Sequence, residues 1–305
     1  MLSKEKFILY SSLLFLLAKP GTVDSSSSVT NIFHAGYDSR YESIINFLES
    51  AGYPKEITQF LFNDSRIKYH PNLVMTKIPE LDSESIERDF EITKHKTKDF
   101  LLTYHKDLEF AEKQYNVDKE AIAAIIYVET KFGHFTGDHR IFNILSSLAI
   151  ADQEFALREL REEIKRQNAL LTTVKINNLI SYYEKYAKKK ALMAKFELAH
   201  LVEMYVNQNY NVMELRGSFA GAFGYCQFMP SSYNNYAVDG NGDNIIDLFN
   251  YQDAIYSIAN YLSEKGWNKS YYNKRLALLR YNYSKKYVSD VFSASKKIKY
   301  ITDTI

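Results

Sequence analysis

Asp118-Lys119-Glu120-Ala121-Ile122-Ala123-Ala124-Ile125-Ile126-Tyr127-Val128-Glu129-Thr130-Lys131-Phe132-Gly133 is the stretch from which the rest of the chain can be read. Asp118 suits an N-cap, Glu120 favours a first helical turn, and Gly133 suits a C-terminal stop. Ile122, Ile125 and Ile126 mark an inward stripe of helical period, and Glu129 falls on that stripe. A carboxyl group placed there loses water, which disfavours its anion and raises its pKa. Such a group can stay protonated near neutral pH and donate a proton to a leaving oxygen. The same position also suits a buried structural glutamate paired with an arginine or with backbone amides.

Helical patterns dominate on both sides of this stretch. Two short amphipathic segments, 43–52 and 54–62, are separated by a Gly-Tyr-Pro break, and residues 64–85 read as irregular. A long helical pattern covers 86–116. Residues 139–166 read as one or two further helices, 169–208 as one long one, and 251–265 and 273–292 as helices again. No sustained period-two alternation is visible, so the expected fold class is mainly α. The organisation expected is a leader at 1–18, a linker at 19–40, a helical region at 41–110 and a main domain at 111–295.

The 305 residues suffice for a large core. With 38 Lys+Arg against 37 Asp+Glu, no global field points to nucleic acid. Lys4 and Lys6 precede an apolar run from Phe7 to Ala18, too short for a comfortable membrane span and suited to a signal-peptide core. Export is therefore expected, with an uncleaved anchor as the alternative, since Leu17-Ala18-Lys19-Pro20 makes a poor cleavage site. The single cysteine, Cys226, excludes an intrachain disulfide.

Residues 216–252 form the one long segment rich in Gly, Asn, Asp and Ser, and such segments inside compact domains tend to be functional. Its first part is Gly217-Ser218-Phe219-Ala220-Gly221-Ala222-Phe223-Gly224-Tyr225-Cys226-Gln227-Phe228-Met229-Pro230-Ser231-Ser232-Tyr233. The glycines allow close backbone approach to a ligand or to a neighbouring helix. Ser218, Tyr225, Gln227, Ser231 and Ser232 can hydrogen-bond a polar ligand, while Phe228 and Met229 offer apolar surface. Polar donors beside flat apolar faces suit a sugar cleft. A loop whose Gln satisfies its own backbone fits the same residues.

Its second part, Asp239-Gly240-Asn241-Gly242-Asp243-Asn244-Ile245-Ile246-Asp247, has oxygen side chains at positions 1, 3 and 5 of an EF-hand-like calcium arrangement, with a backbone carbonyl at 7. Position 6 is Asn244 in place of Gly, which Asn tolerates better than most residues. Position 12 is Asn250, which cannot give a bidentate carboxylate. Asp253 could supply it from a lengthened loop, and Asp247 is a second candidate.

Together, Ile126 to Gly133, Gly217 to Tyr233, Tyr236 through Asp253-Ala254-Ile255, Ala259-Asn260-Tyr261, and Arg280-Tyr281-Asn282 with Ser284 and Tyr287 resemble the membrane-bound lytic murein transglycosylase B family, glycoside hydrolase family 103. The likeness runs from about residue 110 to 290. It implies a lysozyme-like core with additional helical regions and an EF-hand-like ion loop. It also implies a lyase that cleaves the β-1,4 bond between N-acetylmuramic acid and N-acetylglucosamine in peptidoglycan to give a 1,6-anhydro sugar. By resemblance Glu129 is the sole catalytic acid/base, Ser218, Gln227, Phe228, Met229, Tyr261, Tyr281 and Tyr287 belong to the cleft, and Asp239, Asn241, Asp243, Ile245 (by its carbonyl) and Asp253 hold a structural Ca2+. The implied partners are glycan strands and envelope proteins, the implied location is the periplasm, and a monomer is expected. Two departures stand out: Cys226 replaces the family's usual Gly, and Gln153-Glu154-Phe155 stand where an Arg pair is expected after Ser147-Leu148-Ala149.

Ordinary glycosidases use two carboxyl groups. One suffices if the nucleophile belongs to the substrate, because an intramolecular hydroxyl acts at a high effective concentration. A catalytically silent peptidoglycan-binding scaffold and a lysozyme-type hydrolase are the alternatives.

Overall fold

The computed structural model describes residues 36–76, 94–208 and 210–304. The expected leader at 1–18 and most of the linker lie outside the described residues. No helix among the described residues is long and apolar enough to cross a membrane. The chain divides into two compact units at Ser65.

In the first unit, a 3-10 turn at Ser39–Tyr41 leads into α1 (Glu42–Ser50) and α2 (Lys55–Phe62). Both are amphipathic, and they bury Tyr41, Ile44, Ile45, Leu48, Leu61 and Phe62. Tyr41 and Phe62 meet with ring centroids 5.4 Å apart. Pro54, with ψ at 136°, breaks the chain between the helices as the Gly-Tyr-Pro signal anticipates.

The second unit is helical as expected. Its elements are α3 (residues 94–103), α4 (His105–Tyr115), α5 (Lys119–Thr130), α6 (Ile141–Ala149), α7 (Glu154–Gln167), α8 (Thr173–Gln208), α9 (Pro230–Tyr236), α10 (Tyr251–Glu264), α11 (Tyr271–Tyr281) and α12 (Lys285–Thr302). The strands are two residues each: β1 (His139–Arg140) pairs antiparallel with β2 (Arg216–Gly217), His139 opposite Gly217.

Two of the long helical patterns are broken in the structure. The pattern over 86–116 is not one helix. Its described part bends at Tyr104, where φ is −108° and ψ 18°, and residues 86–93 lie outside the description. The Tyr104 ring packs against Phe100 at 5.1 Å and Tyr251 at 5.0 Å, so tertiary contacts override the local pattern. The pattern over 273–292 is likewise broken, at the extended Asn282. Ser284 then caps α12, its Oγ accepting the Tyr287 amide at 3.2 Å.

Helix α5 is the centre of the unit. It is buried on every side from Ala121 to Tyr127, since α4, α10 and α12 all pack on it. The inward stripe expected at Ile122, Ile125 and Ile126 is thus part of a helix with no solvent face along most of its length. Asp118 occupies the N-cap position but makes no cap bond to its own helix. Its carboxylate accepts instead from the Trp267 indole at 3.0 Å and from the Lys274 ammonium, tying α5 to α11. On the other side of the unit α8 carries Ala187, Ala191, Ala194, Leu198 and Val202 at three- and four-residue spacing. The alanines permit close approach, and α6, α7 and α9 all pack against this helix.

Candidate active site

The end of α5 presents the acid. The helix stops at Thr130, earlier than the Gly133 stop expected from sequence: Lys131 is already left-handed at φ 52°. Glu129 therefore lies in the last turn, where the negative end of the helix dipole also disfavours an anion. Protein atoms surround its carboxyl group, although part of the side chain remains open to solvent. Burial raises its pKa to about 7, and the Tyr287 hydroxyl works against that rise. No lysine or arginine is among the groups that shift it.

What faces the carboxyl group comes from far away in sequence. Tyr281 and Tyr287 are stacked at 6.1 Å with their planes within 10°. Burial, first, and then neighbouring groups that include Glu129 push both phenols well above their ordinary value, so both remain hydroxyl donors. The Tyr287 hydroxyl is buried and makes no well-formed hydrogen bond to any described residue, though it approaches the Glu129 carboxyl. The Tyr281 hydroxyl donates to the Cys226 carbonyl at 2.6 Å. The Cys226 thiol is fully buried, and burial pushes its pKa upward. Phe228 lies 5.6 Å from Tyr261 and 5.8 Å from Tyr281, and Tyr261 lies 4.9 Å from Tyr281. Glu129, Phe228, Tyr261, Tyr281 and Tyr287 are thus brought together. Phe228 is only 2% exposed and Tyr261 and Tyr287 6%, so these rings form the wall and floor of the site more than open platforms.

The string 217–233 folds as a small ladder. Gly217 bridges to Phe223, and Phe223 bridges to Phe228. A Cβ at Gly217 would lie 2.1 Å from the Ala222 carbonyl oxygen, so this glycine serves close approach within the protein. Ser218 Oγ accepts the amides of Ala220 at 3.3 Å and Ala222 at 3.2 Å. Gln227 takes a left-handed backbone at φ 49°. Its side-chain amide donates to the carbonyls of Thr136 at 3.1 Å and Gly224 at 3.0 Å. Both side chains therefore shape the loop. Met229 is half-buried at the N-cap of α9, near Gly221. Tyr225 belongs to a second aromatic group, stacked on Tyr251 at 4.1 Å.

Sequence reasoning missed Tyr236 and Lys265. The Lys265 ammonium stands 4.3 Å from the Tyr236 ring centroid and 5.3 Å from that of Tyr261, a cation over the aromatic wall. Lys265 ends α10 just before Gly266, which reads in sequence as no more than a helix terminus.

The acidic loop is organised around Asp239. Its carboxylate accepts the amides of Gly242 at 2.7 Å, Asn244 at 2.7 Å and Asp243 at 3.3 Å. Desolvation is the largest single influence on this carboxyl, yet the amides together outweigh it and hold the pKa below the ordinary value. Asn244, at the sixth position, is left-handed at φ 68°. Asp243 accepts the Ile245 amide at 2.8 Å, and Asn241 bonds Asp243. Asn250, at position 12, caps α10 through the Gln252 amide at 2.8 Å. Asp253 is fully buried and accepts the amides of Gly240 at 2.8 Å and Asp247 at 2.7 Å. Burial raises its pKa, against those amides. The donor set is rich in hard oxygen and suits Ca2+ by chemistry. Among the described residues, however, no three His, Cys, Asp or Glu side chains converge as a ready metal cluster. The carboxylates are turned to backbone amides.

Residues 49–287 match the transglycosylase SLT domain family. Over 170 residues the chain is 34% identical to membrane-bound lytic murein transglycosylase B of Escherichia coli K12; the match covers 56% of this chain and 37% of that protein. The chain thus spans little more than a third of that relative's length. The fold is similar to the lytic transglycosylase Slt35 of Escherichia coli in complex with calcium, with a TM-score of 0.63 and 21% identity over 91% of this chain and 98% of that one. It is also similar to SltB3 of Pseudomonas aeruginosa in complex with NAG-anhNAM-pentapeptide, with a TM-score of 0.65 and 17% identity over 86% of this chain and 79% of that one. The helical order, the acid at the end of a buried helix and the family match agree: the chain belongs to the transglycosylase SLT domain family.

Proposed function

We propose that the protein is a peptidoglycan lytic transglycosylase and that Glu129 is its only acid/base. The observation that carries this reading is the carboxyl at the end of α5: burial raises Glu129 to about 7, and the groups around it are phenols and a thiol, with no second carboxylate among those that perturb it. A protonated Glu129 gives its proton to the glycosidic oxygen as the bond from that oxygen to C1 of the muramic acid breaks. The substrate's own acetamido group meets the charge at C1. Glu129, now a carboxylate, takes the proton of the C6 hydroxyl as its oxygen closes on C1. The proton count returns to its start, no water is consumed, and the product is the 1,6-anhydro sugar. The aromatic wall of Phe228, Tyr261, Tyr281 and Tyr287 keeps the site dry, and Ser218, Tyr225, Gln227 and Met229 line the approach. The ligand in the SltB3 complex, NAG-anhNAM-pentapeptide, supports this substrate class.

The loop 239–253 takes Ca2+ in this reading, through Asp239, Asn241, Asp243, the Ile245 carbonyl and Asp253. The calcium complex of Slt35 supports that assignment, as does the left-handed Asn244 where an EF-hand loop has glycine. The ion is structural, and Asp239 and Asp253 keep lone pairs for it beside the backbone amides they accept. The leader expected at residues 1–18 places the chain outside the cytoplasm, where its substrate lies, and the membrane-bound name of the Escherichia coli relative accords with that.

The test is Glu129→Gln, assayed on purified peptidoglycan. The amide keeps the shape but cannot pass a proton. Loss of general acid–base catalysis costs about 10²–10⁴ in rate, and more where one group serves two steps. Wild-type turnover in a folded variant would contradict the mechanism.

A further inference from the structure

The segment that ends α5 is strained, and a hydroxyl from another helix holds it. Lys131, Phe132 and Gly133 follow one another with φ of 52°, 53° and 75°. Glycine takes that backbone freely, but the Cβ atoms of Lys and Phe crowd the chain there, so two such residues in succession persist only when their surroundings fix them. Thr130 Oγ1 accepts the Gly133 amide at 3.0 Å. The Phe132 carbonyl accepts the Tyr251 hydroxyl at 2.8 Å.

Tyr251 is itself firmly placed. It is the first residue of α10. Its ring lies on Tyr225 at 4.1 Å with planes 16° apart, and it meets Phe100 at 5.3 Å and Tyr104 at 5.0 Å. The Phe132 ring stacks on the same Phe100 at 4.4 Å. A Cβ on Gly133 would lie 2.7 Å from the Tyr251 hydroxyl and 2.6 Å from the Tyr225 ring, so the absence of a side chain lets both rings close over the turn. Burial, then its tyrosine neighbours, push the Tyr251 phenol up to about 12, and it stays a donor. Glu129 stands three residues before Phe132, in the last turn before the chain turns left-handed.

We propose that Tyr251 is a positioning residue for Glu129: by holding the Phe132 carbonyl, its hydroxyl locks the left-handed exit of α5 and sets the angle at which the Glu129 carboxyl meets the substrate. The inference rests on Glu129 being the acid/base. Tyr251 touches no reacting atom and acts through the turn alone.

Tyr251→Phe removes the hydroxyl and keeps the ring. The full chain is assayed on purified peptidoglycan below the melting transition of every variant. Misplacing a catalytic group by a fraction of an ångström lowers kcat, so a fall of about tenfold or more is expected. KM stays within about twofold, because ground-state binding is untouched. Adding Lys131→Gly to Tyr251→Phe recovers most of the lost kcat, since glycine holds a left-handed backbone unaided. An unchanged kcat, a KM rise equal to the kcat loss, or no recovery with Lys131→Gly would overturn the inference. Glu129→Gln run alongside separates the two claims. If that variant turns over normally, the acid/base reading fails. If it is inactive while Tyr251→Phe is normal, only the positioning role fails.

Discussion

The Tyr287 hydroxyl lies against the Glu129 carboxyl, and it is the one side chain that opposes the protonation imposed on that acid by burial. Tyr287 arrives from α12, whose first turn is set by the Ser284 cap, more than 150 residues along the chain from the helix that carries Glu129. Acid and phenol together define a site that holds its proton near neutral pH with no cation among the groups that shift the acid.

Cleavage should therefore fall on the alkaline side with a midpoint near the Glu129 value of about 7, because the reaction starts from the protonated acid. Tyr287→Phe removes the hydroxyl whose approach favours the anion, so the alkaline limb should move to higher pH. A pH–rate profile of both proteins checks this. A limb that stays in place, or moves down, contradicts the role given to the phenol.

The same burial makes Glu129 a liability for stability. Its folded pKa of about 7 lies above its ordinary value of 4.5, so the folded state holds the proton more tightly than the unfolded state. Stability from this group is complete below about pH 4.5, declines as pH rises towards 7, and stays lost above that. The loss is at most about 3 kcal/mol, and smaller because the carboxyl keeps some access to solvent. Glu129→Gln should accordingly melt higher than the wild type at pH 8 and about equally at pH 4. Thermal unfolding at the two pH values measures this difference directly.

Phe228 is 2% exposed within the aromatic wall. Phe228→Ala should leave a cavity and destabilise the fold by about 3–5 kcal/mol. Denaturant unfolding checks it. A variant of wild-type stability with a raised KM would show instead that the ring faces the sugar.

Calcium should raise the melting temperature by mass action if it binds only the folded state. Asp239→Ala, which also frees the amides of Gly242 and Asn244, should lower the melting temperature and abolish the calcium response. Asp243→Ala should abolish the response as well. Melting curves with calcium and with chelator distinguish these outcomes, and a wild type indifferent to chelator would count against an ion in this loop.

The features that sequence made legible are those carried by local chemistry. The α5 pattern and the spacing of the acidic loop are written in consecutive residues, and Asn244 adopts the left-handed backbone that its position calls for. The neighbours of Glu129 were named only through family resemblance. A helical period marks an apolar face but not which distant element covers it, and α5 proves to be covered on every side. Asp118 shows the same limit: it reads as a cap, yet Trp267 and Lys274 draw its carboxylate away. The break at Tyr104 depends on rings from α3 and α10, which local propensity does not contain. Tyr251 carried no sequence signal beyond its place after Asn250, because its partner is a backbone carbonyl more than a hundred residues earlier.

The central claim is that one carboxyl suffices because the substrate supplies the nucleophile. Digesting purified peptidoglycan with the full chain and weighing the released muropeptides by mass spectrometry tests this most directly. Intramolecular attack gives products lighter by one water than those of hydrolysis, as 1,6-anhydro muramic acid ends, and these should be lost in Glu129→Gln. Products carrying the added water would show that a water molecule, and not the C6 hydroxyl, attacks C1, and would contradict the account.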